Sequence, residues 1–228
     1  MKRLYFTTTE LVLWGMSVLG VVLSFLIFDR AAVLTLSASL IGVTSLIFNA
    51  KGNPIGQVLM LIFSVLYGVI SWRCAYYGEM ITYLGMTAPM AAVALYSWLR
   101  HPYRGNRSQV TVGSLSVKDG VGMAMATVFV TVCFYFILRF FGTARLLIST
   151  ISVSTSFVAA YLTFRRSPWF AVAYAANDVV LIVLWSLVAM VDRAYFSVVV
   201  CFAAFLANDL YGFINWQHMK QQQSGGID

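Results

Sequence analysis

Eight runs of about 20 mostly apolar residues fill this chain, each long enough to cross a bilayer as a helix. They run roughly Leu11–Phe28, Ala31–Phe48, Ile55–Ala75, Met80–Leu99, Val121–Phe141, Leu146–Phe164, Phe170–Val191 and Tyr195–Trp216. Only short polar turns separate them, so no soluble domain fits between. The composition agrees: 61% of the 228 residues are hydrophobic and 10% are charged, against about 25% charged in soluble domains. One soluble core cannot hide that much apolar surface. The expected fold class is all-α, a polytopic membrane protein forming one transmembrane domain over residues 1–228, with membrane lipid as its solvent.

Charge placement sets an expected orientation. With both termini cytoplasmic, one side carries Lys2, Arg3, Lys51, Arg100, Arg104, Arg107, Lys118, Arg165, Arg166 and Lys220. The other carries Arg30, Arg73, Arg139, Arg145 and Arg193. The excess of Lys and Arg belongs on the cytoplasmic side. The net charge of +7 is therefore a topology signal. Without a basic face bearing stacking aromatics in a soluble segment, it excludes nucleic acid as a partner.

Several chemistries drop out. The first run is no cleaved signal, because Phe28-Asp29-Arg30 offers no small-residue cleavage site. Cys74, Cys133 and Cys201 lie in or at the ends of three different spans, neither a disulfide framework nor a metal motif. His101 and His218 follow spans and read as interfacial anchors. No phosphate-binding GxxxxGK[ST] loop is present, so the chain has no ATP engine. No Ser/His/Asp set or metal cluster lies inside the spans, so the expectation is no enzyme and no cofactor.

The chain also repeats itself. "NAKGNPIGQVLMLIFSVLYGVISW" (Asn49–Trp72) and "FRRSPWFAVAYAANDVVLIVLW" (Phe164–Trp185) each pass from a basic loop through a Pro into a helix that ends near a Trp. Pro54 and Pro168 suit a first helical turn, where the missing N–H is harmless. "ALYSWLRH" likewise echoes "DLYGFINWQH". Residues 31–99 and 146–216 thus form two three-helix repeats. The span over 121–141 joins them so that they point the same way, residues 11–28 add an N-terminal helix, and 217–228 form a cytoplasmic tail. Parallel repeats place a substrate near the midplane between the halves.

Polar residues inside the spans mark candidate contacts. Gln57, Ser64, Tyr67, Gly68 and Ser71 share one helical face, as do Glu79, Tyr83, Thr87 and Ser97. Ser149, Ser152, Ser156, Ala160 and Thr163 form a small stripe suited to close helix packing. Two matching motifs are sharper. Asn177-Asp178 precedes Trp185, and Asn208-Asp209 precedes Trp216, each as A-N-D, six residues, then W. Ionisable groups at bilayer depth are costly and face a cavity or a partner. Each Asp reads equally as hydrogen-bond glue between helices or as a ligand contact. Asn208, Tyr211 and Asn215 share another face of the last span, and a face of amide, phenol and amide suits a hydroxyl-bearing ligand. Asp209, turned about 100° away, is expected to point at span seven, where Asp178 plays the matching part.

These segments, "NPIGQVLMLIFSVLYGVISW", "YYGEMITYLGM", "NDVVLIVLW" and "NDLYGFINW", resemble the PnuC vitamin transporters over nearly the whole chain, from about Glu10 to His218. The resemblance implies a three-plus-one-plus-three, SWEET-like helix arrangement with an extra N-terminal helix, in a bacterial inner membrane. It implies uptake of nicotinamide riboside by facilitated diffusion, drawn along by phosphorylation inside the cell. Thiamine, riboflavin or a deoxynucleoside is the alternative cargo, and proton coupling through Asp178 or Asp209 the alternative energetics. The family's N-x-x-Y motif falls on Asn208 and Tyr211. Its W-x-x-W motif has no strict match; Trp72, Trp98, Trp185 and Trp216 are its loose counterparts. The expected substrate contacts are Gln57, Tyr67, Trp72, Asn177, Asp178, Trp185, Asn208, Asp209, Tyr211 and Asn215. The resemblance also implies a homo-oligomer, a trimer.

Overall fold

A computed structural model describes residues 5–30, 32–73, 77–143 and 145–225. Lys2, Arg3, Ala31, Cys74 and Ala75, used in the sequence analysis, lie outside the described residues, as do residues 226–228. Among the described residues, eight helical runs are long and apolar enough to cross a membrane. They are α1 (Thr8–Phe28), α2 (Val33–Ala50), α3 (Ile55–Arg73), the run Tyr77–Arg100, α6 (Val117–Phe140), α7 (Leu146–Phe164), α8 (Trp169–Ala189) and α9 (Phe196–Ser224). The run Tyr77–Arg100 consists of α4 (Tyr77–Thr82), a π-helical turn over Tyr83–Thr87, and α5 (Ala88–Arg100).

The helix ends differ from expectation for identifiable reasons. Thr7 and Glu10 form a capping box, so α1 starts before Leu11. Ser116 and Asp119 do the same for α6, which starts before Val121. Span eight does not stop at Trp216. Its helix continues to Ser224 through much of the expected tail, because Met219 is buried beside Trp216 and Gln223 exchanges hydrogen bonds with the backbone of Val110 and Val112. A short hairpin, β1 (Pro102–Tyr103) with β2 (Asn106–Val110), was not anticipated in the loop after α5.

Six helices close a ring in the contact order α2, α3, α5, α7, α8, α9 and back to α2. Outside it, α1 lies against α9 and α2, and α6 lies on α7. Of α6 only Leu138 is buried, so that helix presents an apolar surface outward. Aromatic side chains fill the ring: Phe63, Tyr67, Tyr83, Phe202 and Phe205 are all buried and mutually in contact. Gly42 admits this layer to α2, since a Cβ there would lie 2.5 Å from the Phe205 ring.

One end of the bundle, where α1 begins and α9 ends, is built from matched parts. The turn after α2 places Gly52 at φ 64°, and the turn after α7 places Arg166 at φ 57°. Gly52 and Asn53 donate back to Asn49 and Phe48; Arg166 and Ser167 donate back to Thr163 and Leu162. The Trp98 indole donates to the Thr163 carbonyl at 2.9 Å, and the Trp216 indole to the Asn49 carbonyl at 2.8 Å. The preceding residues repeat the scheme, Ser97 to Phe164 and Asn215 to Ala50. Between the turns runs the segment after α5, whose Val110 and Gly113 amides donate to the carbonyls of Gly52 and Arg166. The capping acids complete the match, Glu10 pairing with Lys51 and Asp119 with Arg165.

The Ser97 and Asn215 bonds satisfy the Phe164 and Ala50 carbonyls, which lipid could not, and the indole bonds add a second donor to the Thr163 and Asn49 carbonyls already served by their own turns. Trp216→Phe keeps an aromatic ring but removes the second hydrogen bond to the Asn49 carbonyl, which the Gly52 amide still serves, a loss of about 0.5–1.5 kcal/mol. The detergent-solubilised variant should melt about 1–6 °C lower, and Trp98→Phe, whose acceptor keeps the Arg166 amide, should do likewise. Unchanged melting of both would show that these bonds contribute little.

Candidate functional site

Inside the ring lies a central cavity of about 40 Å³, bordered by Phe63, Tyr83, Tyr174, Asn177, Asp178 and Asp209. That is room for a water or two and far too little for a nucleoside, so the ring is constricted here. α8 brings Asp178 to it and α9 brings Asp209. Both acids are buried, at 3% and 4% exposure, and their carboxyl groups lie within hydrogen-bonding reach of each other. Asp178 Oδ2 has no partner among the described residues. Two acids touching in a dry interior are stabilised by a shared proton or by a cation.

The neighbouring amide is held from one side. Asn177 Oδ1 faces the hydroxyls of Ser152, Thr155 and Ser156 at 3.2, 2.9 and 3.0 Å. An amide oxygen has two lone pairs, so the three donors compete. The small stripe of α7 thus both packs against α8 and orients its amide. Opposite, the π-helical turn of the fourth span brings Tyr83 and Thr87 to the cavity. π-turns inside helices recur at functional positions. Thr87 donates to the Thr82 carbonyl at 3.3 Å, the longer step such a turn allows.

Aromatic rings lead from the cavity toward the end of the bundle opposite the termini. The Tyr83 and Tyr67 ring centroids are 4.6 Å apart, and Tyr67 stands edge-on to Trp185 at 6.5 Å and 89°. Trp185 separates two cavities at that end. One, of about 210 Å³, includes Tyr77, Glu79, Phe141 and Thr143; the other, of about 160 Å³, includes Asp29, Thr35 and Tyr195. Toward the termini the path is shut. Trp98, Trp216 and Val110 are at most 1% exposed and pack with Phe170.

The expected contacts divide into groups. Tyr67, Asn177, Asp178, Trp185 and Asp209 lie at the central cavity or along the aromatic path. The acid Asp209 does meet span seven, where its partner is Asp178. The other polar face of α9 turns the opposite way, onto α1 and α2. Asn208 Nδ2 donates to Ser17 Oγ at 2.9 Å and to the Ala204 carbonyl at 2.7 Å. Tyr211 donates to Glu10 Oε1 at 3.1 Å, and Asn215 to the Ala50 carbonyl at 2.7 Å. Gln57 donates to Asn49 Oδ1 at 2.8 Å near the termini, and Trp72 is 61% exposed at the end of α3. Residues not singled out as contacts also border the cavity. Tyr83 stood in a recognised polar stripe, and Tyr174, one turn before Asp178, was legible from spacing. Phe63 and Phe205 look like any core hydrophobe. Among the described residues no cluster of His, Cys, Asp or Glu could hold a metal.

The Asn208–Ser17 contact is one inward tie of α1, beside Tyr211–Glu10 and Trp14–Thr44. Asn208→Ala and Ser17→Ala should each lower the melting temperature, and the double variant should lose no more than the worse single one, because both remove the same bond. Fully additive losses would mean that the two residues act separately.

Comparison with known proteins places this geometry. A family model described as "Nicotinamide mononucleotide transporter" matches residues 32–218. A curated relative from Neisseria mucosa, named nicotinamide riboside transporter PnuC, is 24% identical over 216 residues, covering 93% of this chain and 82% of the relative. A protein of the same name from Haemophilus influenzae is 21% identical over 190 residues, covering 83% and 81%. A crystal structure of the vitamin B3 transporter PnuC matches with a TM-score of 0.80 at 23% identity, over 96% of this chain and 94% of that one, which establishes a shared fold.

Proposed function

Because the chain belongs to the nicotinamide mononucleotide transporter family, a family of transporters rather than enzymes, we propose that it carries nicotinamide riboside across a bacterial inner membrane by facilitated diffusion. The observation that carries the reading is the buried Asp178–Asp209 pair on an aromatic cavity at the centre of the ring. Nicotinamide riboside combines a flat pyridinium cation, a carboxamide and a ribose. The acid pair supplies the countercharge, Tyr67, Tyr83 and Trp185 supply ring faces, each worth about 0.5–2 kcal/mol to a cation, and Asn177 supplies an amide for hydroxyl or carboxamide groups. In this reading Asn208, Tyr211, Asn215 and Gln57 hold helices in the closed state, and Trp72 faces lipid.

The matched turns and crossed indole bonds support two parallel repeats related by an axis along the membrane normal, with the substrate between them. The end bearing the termini is the cytoplasmic one in this proposal, since the Lys/Arg excess lies there. The state described is then closed to the cytoplasm. Cargo enters from outside, the ring widens around it, and release follows when the Trp98–Trp216 layer parts. Without a nucleotide-binding motif, net uptake is drawn by phosphorylation of the cargo inside the cell. The outward apolar face of α6 meets lipid or a second copy of the chain in a homotrimer.

Uptake of labelled nicotinamide riboside into proteoliposomes tests the reading. Equilibration without accumulation is expected when no membrane potential is imposed. Asp178→Asn and Asp209→Asn should each weaken binding about 5- to 100-fold, whereas Asn208→Ala should change affinity little. Accumulation under a pH gradient would instead make the acid pair a proton-coupling site, and uptake of thiamine or riboflavin alone would change the cargo. For orientation, single cysteines replacing Arg104 and Arg193, in a chain without its native cysteines, should label from inside and outside respectively; labelling of position 104 from outside would reverse it.

A further inference from the structure

The cavity of about 210 Å³ at the end opposite the termini is not accounted for by the central site. It lies between the start of α4, the end of α8 and the turn from α6 to α7. Its aromatic members are Tyr77, Phe141 and Trp185, the first two with ring centroids 6.5 Å apart. Its acid is Glu79, whose carboxylate has no hydrogen bond or ion pair among the described residues. Thr143 adds a hydroxyl that is buried and unpartnered among the described residues. Gly78 makes the arrangement possible: a Cβ there would collide with Thr143, so only glycine lets α4 begin this close to the turn.

These features are mutually consistent with one class of ligand. A cavity of about 150 Å³ already admits a benzene ring, so a six-membered aromatic ring fits. Electron-rich ring faces attract a cation, an unpaired carboxylate attracts one more strongly, and an unpartnered hydroxyl suits an amide substituent. One group opposes a cation. Arg145 also reaches the cavity, but it is exposed and donates to the Leu187 carbonyl at 3.3 Å, where solvent screens it. Trp185 belongs to this cavity and also meets Tyr67, the next ring toward the centre.

We propose that this cavity is an entrance subsite for an aromatic pyridinium cation, with Glu79 as its countercharge and the rings of Tyr77, Phe141 and Trp185 as its walls. Cargo pauses there before Trp185 and Tyr67 admit it to the acid pair. The inference rests on the proposed riboside reading for its biological cargo, but the subsite is defined by charge and shape alone. Glu79 selects the cationic form, and Arg145 moderates that selection.

Two measurements test it. The first compares nicotinamide riboside with its reduced dihydro form, which has nearly the same shape but no ring charge. E79Q should raise KM for the cation about 3- to 10-fold, leave the maximal rate nearly unchanged, and leave the neutral form unaffected. R145Q should lower KM for the cation. Equal losses for both forms, no effect of E79Q, or a loss in R145Q like that in E79Q would overturn the proposal. The second follows quenching of tryptophan fluorescence by 1-methylnicotinamide, a pyridinium without ribose, with W185F as the control for the reporting ring. Binding that weakens in E79Q supports the subsite even if the riboside itself is not transported, in which case the cargo reading alone falls. Absence of binding to the wild-type protein, or binding indifferent to E79Q, overturns the subsite.

Discussion

The crossed indole bonds at the end bearing the termini are the constraint on which the rest of the structure depends. In lipid a helix cannot leave its last carbonyls bare. Here each half lends the other a second donor beyond its own turn: Trp98 serves the turn after α7, and Trp216 serves the turn after α2. The two rings meet with centroids 5.5 Å apart, and Val110 closes over them. Parting the halves at this end therefore exposes carbonyls, two indoles and a strand at once. That makes the closure cooperative.

The price of a dry closed end is a wet or charged centre. Asp178 and Asp209 lie within reach of each other inside the ring, where a shared proton or a cation offsets their mutual repulsion. The two acids face each other and a small central cavity rather than the outer surface of the bundle. The hydroxyls against Asn177 and the ladder from Tyr83 through Tyr67 to Trp185 give that site walls and a direction.

The peripheral helices show the same logic from the outside. α1 and α6 both open with a capping box whose acid reaches a base on the turn of its own half, Glu10 to Lys51 and Asp119 to Arg165. α1 is also tied inward by Asn208 and Tyr211, whereas α6 buries only Leu138. α1 is thus fastened through buried polar groups, whereas α6 meets α7 through the Thr131–Ser154 bond and turns an apolar face outward.

Much of this was legible in the residues alone. Apolar runs of spanning length dictate eight crossings, because no other solvent would accept them, and the two Pro-opened helices betray the duplicated turns. The A-N-D motifs marked polar groups too costly to be accidental. Helix geometry set Asp209 toward span seven, where it does meet Asp178, but could not say what the adjacent Asn208 would meet. Asn208 and Asp209 are adjacent, yet one is fastened to α1 and the other meets Asp178, because a helix turns about 100° per residue and only packing decides which face meets which neighbour. The amide–phenol–amide face of α9 reads as a ligand face, and in this structure its groups bond Ser17 and Glu10 of α1 and the Ala50 carbonyl at the end of α2. The cavity at Glu79 was equally hidden. Its members come from α4, α8 and the turn after α6, far apart along the chain, and only the closing of the ring brings a lone acid and three aromatic rings to one place.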